Sequence, residues 1–158
     1  MPLASPLRRS LAIAFFGLSL AACGASIKVI KFPVQENGHA VTVEKYFFDG
    51  YFYGATDNPL TRAFKVAQRN DFQGAIAMLR VHLQEHPDHA WGHYDLGILY
   101  EATGDWAAAE ASMREAMRLS EGPGPDPARN TDRENAHKIS TKELGFIQRR
   151  RGLVAAEG

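Results

Sequence analysis

Residues 96–109 read Leu96-Gly97-Ile98-Leu99-Tyr100-Glu101-Ala102-Thr103-Gly104-Asp105-Trp106-Ala107-Ala108-Ala109, and this stretch decides the fold. Thirty-four positions earlier its characters recur: Ala63, Asn70, Asp71, Phe72 and Ala75 precede Gly97, Gly104, Asp105, Trp106 and Ala109. Small pairs with small, turn former with turn former, Asp with Asp, ring with ring. A fixed period of this length marks stacked helical hairpins. Ala63 and Gly97 let two helices approach closely. Asn70-Asp71 and Gly104-Asp105 make the turns, and each Asp caps the helix that follows. Asn58-Pro59 opens the first helix, with Asn as cap and Pro in the first turn. The spacing predicts helices over 59–69, 72–85, 90–102 and 106–119.

The second copy, Leu96-Gly97-x-x-Tyr100-x-x-x-Gly104-Asp105-Trp106-x-x-Ala109 with Met113 and Ala116, resembles the tetratricopeptide repeat. The first resembles it through Asn70-Asp71-Phe72-x-x-Ala75 and a closing Pro87. The resemblance covers about residues 56–122. It departs at Pro59 and His93, where the family often carries Trp, at His82 in place of a small residue, and at Glu121 in place of Pro. A third copy fails at Glu143. The resemblance implies a concave groove where partner segments dock. Trp91, Tyr94 and Ile98, with Glu101 one turn on, follow that line in the second copy. Leu60, Phe64, Ala67 and Gln68 follow it in the first. Apolar residues along a groove imply that something fills it. Either a partner does so, or the chain's own aromatic segment 46–53.

Downstream, EGPGPDPARN (121–130) has three prolines and two glycines, which forbid a helix and mark a linker. Thr131-Asp132-Arg133-Glu134 is a capping-box pattern opening a helix to about residue 150, which covers the open end of the array. Arg149, Arg150 and Arg151 suit its C-terminus electrostatically.

Upstream, residues 27–32 and 41–46 are β-branched and aromatic runs separated by Asn37-Gly38, the pattern of a small hairpin. Then Tyr46, Phe47, Phe48, Tyr51, Phe52 and Tyr53 fall within eight residues. So many rings cannot all face water. They pack beneath the helices, or some form a docking patch for a partner or for lipid head groups.

Residues 1–22 form a separate unit. Arg8 and Arg9 precede a 12-residue apolar run (11–22, LAIAFFGLSLAA) that ends at Cys23. Twelve helical residues reach about 18 Å, short of a bilayer core of ~30 Å. The pattern is that of a secretory signal peptide. Leu20-Ala21-Ala22-Cys23 resembles the lipobox of bacterial lipoproteins, which implies cleavage before Cys23 and its acylation. The alternative is cleavage at an ordinary signal-peptidase site, with Cys23 a free thiol. The resemblance to lipoproteins further implies, from Gly24 where Asp often signals retention at the inner membrane, the periplasmic face of an outer membrane. The organisation is thus a signal peptide (1–22), a membrane-proximal hairpin and aromatic segment (23–57), helical repeats (58–120), a linker (121–131) and a C-terminal helix and tail (132–158).

The 158 residues carry 18 basic and 18 acidic side chains, so nothing in the balance favours nucleic acid. One cysteine excludes an internal disulfide and a cysteine-rich zinc site. His82, His86, His89 and His93 straddle a chain reversal at Pro87 and read as scattered polar positions; no metal or cofactor is expected. No catalytic motif is present. Glu101, Asp105 and Glu110 read as solvated helix and turn charges. The expected protein is mainly α: two helical hairpins and a capping helix, preceded by a short β-hairpin. Its expected role is that of a non-enzymatic, lipid-anchored adaptor binding envelope proteins. Competing readings are a permanent structural subunit of a membrane complex and a periplasmic metal or ligand carrier.

Overall fold

A computed structural model of the chain describes residues 27–36, 38–48 and 58–156. The signal peptide, Cys23, Asn37, Tyr51, Phe52 and Tyr53 lie outside the described residues. Two antiparallel strands, β1 (Ile27–Glu36) and β2 (His39–Phe48), precede five α-helices. These are α1 (Pro59–Ala67), α2 (Phe72–Glu85), α3 (Ala90–Ala102), α4 (Trp106–Ser120) and α5 (Asn130–Ala156).

The helix starts follow from their caps. Asn58 Oδ1 accepts from Thr61 N at 2.9 Å, Asp71 Oδ1 from Gly74 N at 2.8 Å and Asp105 Oδ1 from Ala108 N at 3.0 Å. The first helix ends at Ala67, two residues earlier than expected, because Asn70 turns the chain at φ 62°. Its repeat partner Gly104 does the same at φ 76°. Glycine and asparagine tolerate this left-handed conformation best, which explains the pairing of the two residues.

The hairpins stack through small residues. Ala63, Ala75 and Ala109 are wholly buried. A Cβ on Gly97 would lie 2.8 Å from Met113 Cε and 3.3 Å from the Ala109 carbonyl oxygen, so the close approach of α3 to α4 favours a residue without a side chain at position 97. Each helix packs on the next in sequence, and α3 also touches α1 and α5.

The linker differs from expectation. Pro127–Arg129 forms a 3-10 turn leading directly into α5, capped by Asp126 Oδ1 accepting from Ala128 N at 3.0 Å. Proline is compatible with the opening of a helical turn, where its missing N–H would have no partner anyway. The capping box at Thr131 therefore does not start the helix, which already includes Asn130. The helix also continues past the three arginines to Ala156, so they sit inside it rather than at its end.

In the hairpin, Glu36 faces His39 across a two-residue turn with Gly38 at φ 73°. A lone two-stranded hairpin is marginal in water. This one lies on α1 and α3, its Ile30, Phe32, Val34 and Phe47 buried in the same core as the helices.

Candidate functional site

The residues expected to line an open groove are covered. Leu60, Phe64, Ala67, Trp91, Tyr94, Ile98 and Glu101 are all buried, and of that set only Gln68 is exposed. The cover is the hairpin. Phe48 stacks on Trp91 with ring centroids 3.6 Å apart and meets Tyr94 edge-on at 5.5 Å. Phe47 lies 5.5 Å from Phe64. Phe32 meets Phe72 at 6.1 Å. Of the two occupants open at the level of sequence, the structure seats the chain's own Phe47 and Phe48. Tyr46, from the same cluster, stays 56% exposed. Aromatic rings that need cover and a line of apolar residues that needs an occupant thus satisfy one another.

Polar groups fix where the hairpin lies. Asp95, fully buried on α3, accepts the Phe48 N–H through Oδ1 at 2.9 Å, which pins the end of β2. Trp91 Nε1 donates to Asp132 Oδ1 at 3.1 Å and ties the groove to the start of α5. At the other end, Arg150 donates to the Gln35 carbonyl at 3.0 Å and to Glu36 Oε2 at 2.7 Å. It links two parts of the chain that no sequence period relates.

Between these points lies a buried charge cluster. Lys45 Nζ of β2 sits 3.2 Å from Glu101 Oε1 of α3, is ion-paired with Glu143 of α5, and lies 3.4 Å from the centroid of the Phe146 ring. Arg150 flanks the same ring at 4.9 Å. Glu101 was expected to be solvated; it is 1% exposed. Burial pushes its carboxyl up to about 7, with Glu143 adding to the rise and Lys45 opposing it. A buried carboxylate with a second one nearby favours retention of a proton on Glu101. Glu143, the residue at which the third repeat copy fails, is the carboxylate that α5 contributes here, beside Phe146 and Arg150.

The other expected solvated acids also have partners. Asp105 is a helix cap. Glu110 accepts from Arg114, Arg151 and Gln148, ties α4 to α5, and is held down at about 2 chiefly by Arg114, then by Arg151 and Gln148.

The histidines are less scattered than expected. His82 and His89 are buried, with His82 Nε2 and His89 Nδ1 2.7 Å apart. Burial, followed by the neighbouring histidines, lowers His89 to about 3; burial and His86 lower His82. His93 lies on the next helix, its Nε2 2.9 Å from the Pro87 carbonyl oxygen. Among the described residues, no three or more His, Cys, Asp or Glu are placed to hold a metal ion. A cleft of about 420 Å³ between the α2–α3 turn and the start of α5 had no signal in the sequence. Its walls mix Asp88, Asp126 and Asp132 with Arg129 and Arg133, so neither sign of charge prevails.

No helix among the described residues is long and apolar enough to cross a membrane. No curated protein and no solved structure matches the chain significantly. Residues 66–119 match the tetratricopeptide repeat family, which points to protein–protein interaction as the work of this part of the chain.

Proposed function

We propose that this chain is a lipid-anchored adaptor of the bacterial envelope, held to the membrane through acylated Cys23 and binding envelope proteins through its repeat domain. The observation that carries the reading is a tetratricopeptide repeat at residues 66–119 set behind a short apolar run that ends in Leu-Ala-Ala-Cys. Gly24 favours the periplasmic face of the outer membrane. The hairpin fills the groove in cis, so the adaptor's partners meet the surfaces left open, which include α2 with its 59% exposed Val81. No catalytic step, metal or cofactor forms part of this role.

The test has two readouts. Mass spectrometry of the protein from cells should show an acyl increment on residue 23. A photoreactive side chain at Val81 should give discrete adducts with other envelope proteins, lost when Cys23→Ser misplaces the protein. The same probe at Trp91, beneath the hairpin, should give none. An unmodified mature protein beginning elsewhere, or adducts from Trp91 but not from Val81, would contradict the reading.

A further inference from the structure

Apart from Phe48, which turns onto Trp91 at the end of β2, the groove uses one face of the hairpin. Cross-strand partners share a face in an antiparallel pair. Val29 with Tyr46, Lys31 with Glu44, Pro33 with Thr42 and Gln35 with Ala40 form the face opposite to Ile30, Phe32 and Lys45. Along it the character changes. At the end where the chain enters β1, Val29 and Tyr46 stand side by side, 43% and 56% exposed. The next pair, Lys31 and Glu44, is an exposed ion pair. Thr42 and Gln35 follow. The outer face is apolar where the chain enters and mostly polar beyond.

That entry end is the one tethered to Cys23. Val29 lies six positions after Cys23, a reach of at most ~20 Å when extended. The turn at Gly38 lies nine residues beyond Val29, ~30 Å further along the strand. Val29 and Tyr46 are therefore the exposed pair of the outer face closest to the anchor along the chain. Tyrosine, with an apolar ring and a polar tip, suits the boundary between lipid and water.

We infer that Val29 and Tyr46 rest in the head-group region of the bilayer that holds Cys23, and that the hairpin is a two-faced spacer. The inner face, with Phe48 at the end of β2, seats the helices; the outer face from Val29 and Tyr46 onward lies toward lipid and turns the filled groove toward the membrane. This inference rests on the reading of Cys23 as the lipid attachment site. Of α2, Phe72 at its start meets the hairpin, whereas Val81, nine positions on, is 59% exposed and provides a position that stays in water.

The test uses the acylated full chain in vesicles of phosphatidylcholine with a minority of phosphatidylglycerol. Acylation consumes Cys23, so a spin label attaches only at an introduced cysteine, Tyr46→Cys or Val81→Cys. Both positions are exposed, and circular dichroism checks that each variant keeps the wild-type spectrum. Flotation with the vesicles and the mass of the acylated protein establish the anchor. Collision rates with oxygen and with a water-soluble nickel chelate then report the surroundings of each label. The expected result is that the label at 46 loses most of its nickel accessibility on vesicles and gains oxygen accessibility, while the label at 81 changes in neither. Protein that floats while the label at 46 stays as open to nickel as in the unacylated Cys23→Ser form would overturn the spacer and leave the anchor standing. A label at 46 shielded from both reagents would mean that protein covers it, and would also overturn the spacer. Failure to float or to carry an acyl mass would remove the anchor and the spacer together.

Discussion

The hairpin is held to the helices by two kinds of chemistry on one surface. At its entry end, Phe47 and Phe48 bury carbon against Phe64, Trp91 and Tyr94. One step along, Lys45 buries charge against Glu101 and Glu143. The aromatic contact gains from area and is indifferent to small shifts. The ionic one must repay desolvation before it gains anything, and it does so only in one geometry. Stability therefore rests mainly on the rings, and the position of the hairpin along the groove mainly on the lysine. Carboxylates on α3 and α5 can both meet Lys45 only when the strand sits in this place.

The largest effect is expected at the rings. Phe48→Ala and Trp91→Ala should each cost about 3–5 kcal/mol in urea unfolding, the usual range for large buried aromatics. Because the rings stack, the double variant should lose less than the sum, by about 1 kcal/mol. Strict additivity would mean that the two rings are not in contact and would dissolve the comparison.

Lys45→Met should come next, at about 3 kcal/mol, because it strands buried Glu101 and half-buried Glu143 without their cation. Adding Glu101→Gln and Glu143→Gln should recover most of that loss, since the cost lies in unpaired charge rather than in missing packing. A Lys45→Met variant as stable as wild type would show that the cluster is hydrated and that the charged contact is a surface one.

A smaller effect separates the same two contacts by pH. Glu101 has a folded pKa of about 7, above its ordinary 4.5, so the folded state binds the proton more tightly. Its contribution is present at low pH and is lost as pH rises from about 4.5 through 7. His89 works the other way. It is neutral in the fold down to about 3 against an ordinary 6.5, so its contribution grows as pH rises from about 3 to 6.5. Between pH 4.5 and 6.5 the two oppose each other. Glu101→Gln should steepen the rise of stability with pH across that window, and His89→Asn should turn it into a fall. The ring contact should show no such dependence. Urea midpoints over the window measure all three, and an unchanged slope in Glu101→Gln would contradict the buried assignment.

The smallest effect belongs to an ion pair outside the seat. Arg151 meets Glu110 at 2.6 Å, but its side chain is 55% exposed. Arg151→Ala should cost no more than about 0.5 kcal/mol, the scale of surface pairs, and that little should disappear in high salt. Thermal melts at two salt concentrations provide the check.

The two contacts also differ in how far the sequence disclosed them. The helices were legible because their signals are local or periodic: Asn58, Asp71 and Asp105 cap where they stand, and the 34-residue pairing set Ala63 against Gly97 and Asn70 against Gly104. The aromatic seat was half legible, since rings in 46–48 and a ring line through Trp91 and Tyr94 both called for cover. The charged contact had no such signal. Lys45, Glu101 and Glu143 are separated by 56 and 42 residues, follow no common period, and carry side chains that usually sit in water. Glu101 looked solvated because a glutamate on a helix usually faces water, whereas α3 is buried nearly all round. Arg150 looked like a helix-end charge because the helix was expected to stop there; its continuation to Ala156 leaves Arg150 free to reach back across the molecule to Glu36.

The central claim is that the hairpin is a fixed occupant of the groove and comes away only when the whole fold does. Amide hydrogen exchange at Phe48 tests it most directly, because that N–H donates to buried Asp95 and opens only if β2 leaves α3. The account predicts that Phe48 exchanges as slowly as Ile98 and Leu99 in the middle of α3, through global unfolding, and that Phe48→Ala lowers protection at all three positions together. Rapid exchange at Phe48 while Ile98 and Leu99 stay protected would contradict it: the hairpin would then open by itself, and the groove would be free for part of the time to take another chain.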